Sequence, residues 1–478
     1  MSVVTKGAPA RALAPVSETP AEDPRKRRVA DVIVDTLIEL GVDTFYGIPG
    51  GAISPMYDAL LDNPRARVVH TRHETSALFI AAGHALSGGS VPCVLVTSGP
   101  GVTNAITGLA SAFADGVPII VFGGEVPRRN FGRGALQEGS KHELDTIGMV
   151  RSVTKYARDI VNPRSAANDV RKAVATARSG RQGPVFLSLP LDVANERVLP
   201  TTTSSHVGTS FQMDDELLAR AAEMLQSSRR GLILVGSGAR HPMAVAQIRI
   251  LAEMLQIPVA TTPKGKGLFP ESSPLSLGVF GYGGHPSAAR YVADDLDVLL
   301  AVGCGLGETA TNNWNPVLQP SSIFIQIDID SAQIGKNYQV DLGLVGPAHI
   351  VLTGLVSKVR TRPRGVAPPG IEYHLPDLVT TDTIPLHPAR VVRLLQDHLP
   401  ADTIYTSDIG EHLMFVLHYL QSDHPDGFLG HLGLGSMGSG IGSAIGAKVA
   451  RPGRPVVSIC GDYGFQMYGM ELATCVQY

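Results

Sequence analysis

The chain has 478 residues, a formal net charge of -3, 44% hydrophobic residues and 52 glycines. That length allows about two to four domains, and so small a charge gives no reason to expect nucleic acid or an anionic membrane as a partner. The mildly apolar, Gly/Ala-rich mix suits a soluble α/β protein with many tight strand-helix turns. No apolar run approaches the length of a membrane span. Cys93, Cys304, Cys460 and Cys475 are widely spaced in apolar segments without a CxxC pattern, which predicts buried reduced thiols and a cytoplasmic location.

Residues 1–24 are rich in Ala, Pro, Ser and Thr, lack an apolar signal core, and read as a disordered arm. The basic run 25–28 reads as a solvated patch before a helix. Val29, Ile33, Leu37 and Leu40 share one helical face, closed by Gly41. Residues 44–48 form a strand running into Pro49, Gly50 and Gly51. The next strand, 67–71, leads to Arg72, His73 and Glu74, which open a small-residue helix through Ala85. A third strand, 92–97, ends at Ser98, Gly99, Pro100 and Gly101 before another helix, and residues 119–122 and 185–189 complete the set. Strands apolar on both faces, alternating with helices, predict a parallel sheet covered on both sides over 25–195.

A Thr/Ser-rich linker, 194–212, separates this unit from a second one over 213–360. There the strand 232–235 meets Gly236 and Gly238, 298–302 meets Gly303 and Gly305, and 323–327 meets Asp328 and Asp330. These turns resemble a Rossmann-type dinucleotide crevice, but the third glycine of GxGxxG is absent, so tight turns alone also explain them. A proline-rich linker, from 360 to about 387, precedes the third unit, 386–478. Its strand 403–406 carries Asp408, Gly410, Glu411 and His412 at the crevice end. Residues 433–440 form a glycine-rich loop into a Gly/Ala helix. Residues 455–460 then read as a short buried strand, a Gly461-Asp462 turn and an amphipathic helix. A carboxylate at such a turn can hold a divalent metal on a phosphate.

Five features thus stand in one order: Glu74 at a strand-to-helix turn, Ser98-Gly99-Pro100-Gly101, Ala135-Leu136-Gln137-Glu138, the Gly435–Gly438 loop, and Gly461-Asp462. In that order and spacing, across residues 26–478, the chain resembles the thiamine-diphosphate enzymes of the acetolactate synthase and pyruvate decarboxylase superfamily. The resemblance implies three doubly wound parallel-sheet α/β domains: pyrimidine-binding, central and diphosphate-binding. It also implies thiamine diphosphate and Mg2+ as cofactors. The thiazolium ring then attacks the carbonyl of a 2-oxo acid and serves as electron sink when carbon dioxide leaves.

By the same resemblance, Glu74 hydrogen-bonds the aminopyrimidine from a dry pocket, Met437 is the apolar wedge on which the cofactor bends, and Asp462 ligates magnesium. Glu74 and Asp462 would serve one site from different subunits, so a homodimer or homotetramer is implied. Pro49, Gly50, Gly51, Ser98, Gly99, Gly101, Asn104, Gly410, Glu411, His412, Gly435, Gly461, Tyr463 and Gly464 would line the cofactor. Gln137, with residues 98–104 and 126–129, looks closest to acetolactate synthase, where the glutamine lines the active site.

No paired histidines occur in the sequence, whereas simple decarboxylases of the superfamily often use a His-His step; this tilts the reading towards carboligation of a small-molecule 2-oxo acid, pyruvate or similar. Two departures stand beside this. Residues 303–310 lack the arginine found in biosynthetic acetolactate synthases, which weighs against FAD and against a 2-oxo acid acceptor. Tyr463 replaces the usual last glycine of Gly-Asp-Gly, with Gly464 expected to supply backbone freedom. The family's metal-site asparagine lies beyond the next helix, so the third domain is expected to be incomplete at Tyr478. The alternatives are a 2-oxo acid decarboxylase and an inactive nucleotide-binding or scaffold paralogue.

Overall fold

A computed structural model describes residues 23, 25–200, 211–363, 368 and 370–478. Apart from Asp23, the expected arm lies outside the described residues, as does most of the first linker.

The first sheet has six parallel strands in the order Arg67–His70, Thr44–Gly47, Cys93–Val96, Ile120–Glu125, Val185–Pro190, Tyr156–Asp159. The four inner strands are buried along their whole length, as strands apolar on both faces must be. The sixth strand, Tyr156–Asp159, was not legible: it is polar and half-exposed at the sheet edge. Arg27–Arg28 pairs antiparallel with Arg197–Val198, so this unit reaches past the start of the expected linker. The basic run is not simply solvated either: Arg28 is paired with Asp31 at 2.7 Å and with Asp58.

The second sheet runs Ser276–Val279, Val259–Thr261, Gly231–Val235, Val298–Val302, Ile323–Asp328, Leu342–Val345, again all parallel. Strand order turns back between Gly231–Val235 and Val298–Val302, where a nucleotide would be sought. The glycines there are occupied with one another. A Cβ on Gly303 would stand 2.5 Å from the Gly238 carbonyl carbon, and the Gly238 N–H donates to the Gly303 oxygen at 2.9 Å. Close packing of the two turns accounts for them.

The third sheet has three parallel strands, Phe428–Gly430, Ile404–Ser407 and Val456–Ile459. Val456–Ile459, expected to be buried, is half-buried because it pairs on one side only. The helix expected after it is broken into Asp462–Tyr468, a tight turn over Gly469–Glu471, and Leu472–Gln477. The thiol expectation holds for Cys93 and Cys304, whereas Cys460 is half-buried and Cys475 lies exposed on the last helix. All four are free.

The first and third units meet along a seam between the helices Glu74–Leu86 and Ser439–Ala450. Small residues make the close approach. A Cβ on Gly446 would lie 1.9 Å from the Ile80 carbonyl oxygen, and one on Gly83 would lie 2.3 Å from that of Ser443. Among the described residues, no helix is long and apolar enough to cross a membrane.

Candidate active site

Two crevices carry the residues singled out above. The first opens at the carboxyl ends of Thr44–Gly47 and Cys93–Val96, where the strand order of the first sheet turns back. A Cβ on Gly50 would lie 2.6 Å from the Thr97 side chain, so Pro49-Gly50-Gly51 closes tightly on the neighbouring loop. Gly51 has open space in front of it. Gly99, at φ +59, caps the helix Pro100–Asp115, with Ser98 and Gly101 buried beside it. A Cβ on Gly99 would stand 3.0 Å from that of Gln137, which puts the two sequence motifs on one surface.

Gln137 is held at φ 63, a left-handed conformation uncommon for a side chain of its kind. Its loop is fixed by two buried carboxylates. Glu138 Oε1 accepts from the Gly132 N–H at 2.6 Å and the Ser140 hydroxyl at 2.5 Å. Glu125 Oε1 accepts from the Val126 and Gly139 N–H groups at 2.8 and 3.0 Å, and burial pushes its pKa up.

Glu74 is the first residue of its helix, a position that favours a carboxylate, and His73 Nδ1 caps the turn by accepting from Thr75 N–H at 3.1 Å. Asn104 donates to Glu74 Oε2 at 3.1 Å. The carboxylate is half-buried in the single chain, not in the dry pocket expected of it.

The second crevice lies over the third sheet. Gly410, Glu411 and His412 begin the helix Glu411–Tyr419, and the His412 ring rests against Gly410 and Gly461, 2.8 and 3.4 Å from their would-be Cβ atoms. His412 Nε2 is buried without a partner, in a ring whose Cε1 and Nδ1 face Gly461. Asp462 and Tyr463 are exposed.

The Leu434-Gly435-Ser436-Met437 loop stands out from the surface, with Met437 41% exposed and open space before Gly435. Asp408, fully buried, holds the loop's end: its Oδ2 accepts from Gly438 N–H at 2.6 Å, and its Oδ1 from Ser439 Oγ and Gly440 N–H at 3.4 Å each. A Cβ on Gly464 would sit 2.0 Å from that carboxylate. Gly464 therefore supplies room for Asp408; its φ is ordinary, so the expected backbone freedom is not its role.

The two crevices are clamped together behind Glu74. Glu471, 1% exposed, accepts through Oε1 from the N–H groups of Arg72 and His73 at 2.8 and 3.1 Å, and through Oε2 from the Thr474 hydroxyl at 2.7 Å. The Tyr468 ring meets those of His73 and Phe79 edge-on at 5.6 and 5.7 Å. It also fills the space a side chain on Gly438 would need. The structure thus gathers Pro49-Gly50-Gly51, Glu74, residues 98–104 and Gln137 into one crevice. It gathers residues 410–412, 435–438 and 461–464 into the other. No hydrogen bond joins Glu74 to Asp462 among the described residues. Sequence reasoning missed Asp408's role as loop anchor, and missed Glu471 and Thr97 entirely; in sequence they carry no mark beyond a polar residue near a strand or helix end.

Three parallel-sheet units, with a helix-start carboxylate on the first and a Gly-Asp turn on the third, define a class, the thiamine pyrophosphate enzymes. The models of that class agree: the N-terminal TPP binding domain matches residues 27–147, the central domain 218–355, and the C-terminal TPP binding domain 408–478. Within the class, the chain is 37% identical over 473 residues to a probable acetolactate synthase large subunit of Methanocaldococcus jannaschii, covering 94% of this chain and 78% of that one. Against the acetolactate synthase large subunit of Lactococcus lactis the identity is 34% over 460 residues, covering 93% and 77%. Against the chloroplastic acetolactate synthase 2 of Nicotiana tabacum it is 33% over 476 residues, covering 96% and 70%. The chain belongs to the acetolactate synthase large-subunit family of thiamine pyrophosphate enzymes.

Proposed function

We propose that this protein is a thiamine-diphosphate-dependent carboligase that decarboxylates a 2-oxo acid, pyruvate first among them, and joins the remaining two-carbon unit to a second carbonyl compound. The observation that carries this reading is the sharing of one crevice by Glu74 and Gln137 in a chain similar along nearly its whole length to acetolactate synthases.

The residues present fit the cofactor. Gly51 and Gly435 face open space, and the His412 ring, its Nε2 unpartnered, rests against Gly461. When bound, thiamine diphosphate supplies the carbon nucleophile and the electron sink for loss of carbon dioxide. Glu74 would hold the cofactor's pyrimidine ring and serve there as its acid-base group, with Asn104 steadying the carboxylate through Oε2. Met437 would give the cofactor an apolar support, and Asp462 would be a ligand for Mg2+. Gln137, presented by its constrained loop, orients the 2-oxo acid.

The working unit is a homodimer or larger, with Glu74 and Asp462 contributed to one site by different subunits. A second subunit would cover the half-exposed Glu74 and the exposed Tyr463, Phe465 and Met467. That cover would supply the dry surroundings that raise a carboxylate's proton affinity. The reading includes no FAD, since the stretch after Val298–Val302 offers buried Cys304 and Leu306 and no guanidinium. A visible absorption spectrum of the purified protein tests that point. The proposal also places the enzyme in the cytoplasm, in keeping with its free thiols.

The deciding experiment incubates the protein with pyruvate, thiamine diphosphate and Mg2+ and identifies the product. A 2-hydroxy-2-methyl-3-oxo acid is expected; free aldehyde alone would overturn carboligation in favour of simple decarboxylation.

A further inference from the structure

One buried carboxylate outside both crevices touches all three units. Asp115 is the last residue of the helix Pro100–Asp115, and its side chain is 5% exposed. Oδ1 accepts from Lys264 Nζ of the second unit and from the Gly433 N–H of the third, each at 2.9 Å. Oδ2 faces His431 Nδ1 of the third unit at 3.2 Å. A carboxylate only accepts, so Nδ1 carries a proton, and Nε2 shares a hydrogen bond with the Ser443 hydroxyl at 2.5 Å. The order serine, histidine, aspartate is that of a hydrolase relay, but Ser443 has no exposed surface and the histidine is 1% exposed. No substrate can reach it.

The location is costly for a negative charge. A helix C-terminus disfavours anions, and burial without partners disfavours them further. Burial would raise the Asp115 pKa, but the His431 hydrogen bond and the Lys264 charge outweigh it and hold it down at about 2. The space beside Gly433 is equally committed: a Cβ there would lie 2.6 Å from Asp115 Oδ1 and 2.8 Å from the Ala114 carbonyl carbon. Gly433 opens the loop that carries Met437, and Asp408 already grips the other end at Gly438. The loop is therefore slung between two buried carboxylates, one of its own unit and one of the first.

We infer that Asp115 is a positioning residue for the Met437 loop, so that the helix bearing Asn104 near its start sets the cofactor's apolar support from its far end. Resting on the carboligase reading only for what Met437 does, the inference adds how the loop is held. A 16-residue helix is about 24 Å long. One rigid element then fixes the Asn104 partner of Glu74 at one site and the start of the Met437 loop, which with Asp462 serves the other. Lys264 brings the second unit into the same tie, which gives the central domain a direct hold on the cofactor cradle.

The test uses Asp115→Asn in the full chain. Amide hydrogen exchange of the protein without added cofactor is expected to speed up about tenfold or more across 433–438. Exchange in 93–104 should stay unchanged. Titration calorimetry with thiamine diphosphate and Mg2+ should show binding weakened by about tenfold, with KM for pyruvate unmoved. Unchanged exchange in 433–438, or acceleration spread evenly over the third unit, overturns the inference. The exchange measurement needs no turnover, so a protein that forms no carboligation product still decides it. Should Asp115→Asn fail to fold, Ser443→Ala leaves every charge in place. It should then speed exchange in the same segment, by less, and no change there would count against the inference.

Discussion

The two crevices are built from the same plan and supported in opposite ways. The first stands on six strands, and its loops are held by their own unit: Gly50 on Thr97, Gly99 on Gln137, Glu138 on Gly132 and Ser140. The crevice of the third unit stands on three strands, one of them half-buried, and much of its support comes from outside. Asp115 pins its loop, and the Glu74–Leu86 helix packs along Ser439–Ala450. In return Glu471 grips Arg72 and His73, and Arg451 donates to the Ser87 carbonyl at 2.8 Å. A crevice that borrows much of its rigidity suffers most when the lender is disturbed, whereas one held mainly by its own unit leans on its neighbour chiefly at the Arg72-His73 turn.

The largest test strikes chemistry alone. Glu74→Gln should cost about 10²- to 10⁴-fold in kcat, with a thermal midpoint close to wild type, measured by steady-state kinetics and calorimetry. Next comes the seam. Gly446→Val drives a side chain into the Ile80 carbonyl and should destabilise the protein by about 3 kcal/mol in denaturant titration. Proteolysis should then begin within 386–478 before it touches the first unit; simultaneous cleavage of both would erase the contrast between the crevices. Glu471→Ala leaves two N–H groups without their acceptor and should cost about 1–3 kcal/mol, while Glu471→Gln, which keeps one oxygen, should cost less.

Acid should also divide the molecule unevenly. Burial pushes His84 down to about 4 and His285 to about 2, and lowers His418 as well, from an ordinary 6.5. His285 and His418 are wired as neutral rings, each accepting a backbone N–H on one nitrogen and facing a carbonyl with the other. In His285, Nδ1 accepts from Val279 N–H at 2.9 Å, while the other nitrogen donates to the His418 carbonyl at 2.8 Å. Their folded values lie below the unfolded one, so the unfolded chain binds more protons as pH falls through 6.5. Stability present above that pH is then lost, at up to roughly 1.4 kcal/mol per pH unit for His84 and for His285 until each folded value is reached, with His418 acting in the same direction. Two of the three rings stack at the junction of the second and third units, 4.9 Å apart, so hydrogen exchange between pH 6.5 and 4 should rise there before it rises around His84. Asn104→Ala is the mildest change, an exposed hydrogen bond lost from Glu74, with about a threefold drop in kcat expected.

Strands with two apolar faces were legible because burial on both sides leaves only such residues, as in Ile120–Glu125 and Val298–Val302. Tyr156–Asp159 was not, since an edge strand can leave polar residues such as Arg158 and Asp159 exposed. Val456–Ile459 misled in the other direction: its residues are as apolar as a central strand's, yet only one neighbour pairs with it. Within the site, glycines and the acids that follow strands marked the loops. What binds the loops to one another left no local trace. Arg72 and Glu471 stand 399 positions apart, and Asp115 and His431 316, and no period or spacing encodes such a meeting. The histidine stacks are similar: His285 and His418 stand 133 positions apart.

The glycine seam also bears on how the protein is made. Synthesis runs from the amino end, and domains commonly condense as units in that order. The Glu74–Leu86 helix, already seated on its own sheet, would offer a finished groove when Ser439–Ala450 emerges. Gly442 and Gly446 let that helix lie down against Phe79 and Ile80 without anything having to move aside. The first unit then serves its successor as a mould, and a slow or misfolded first unit would leave the third with nothing to set against.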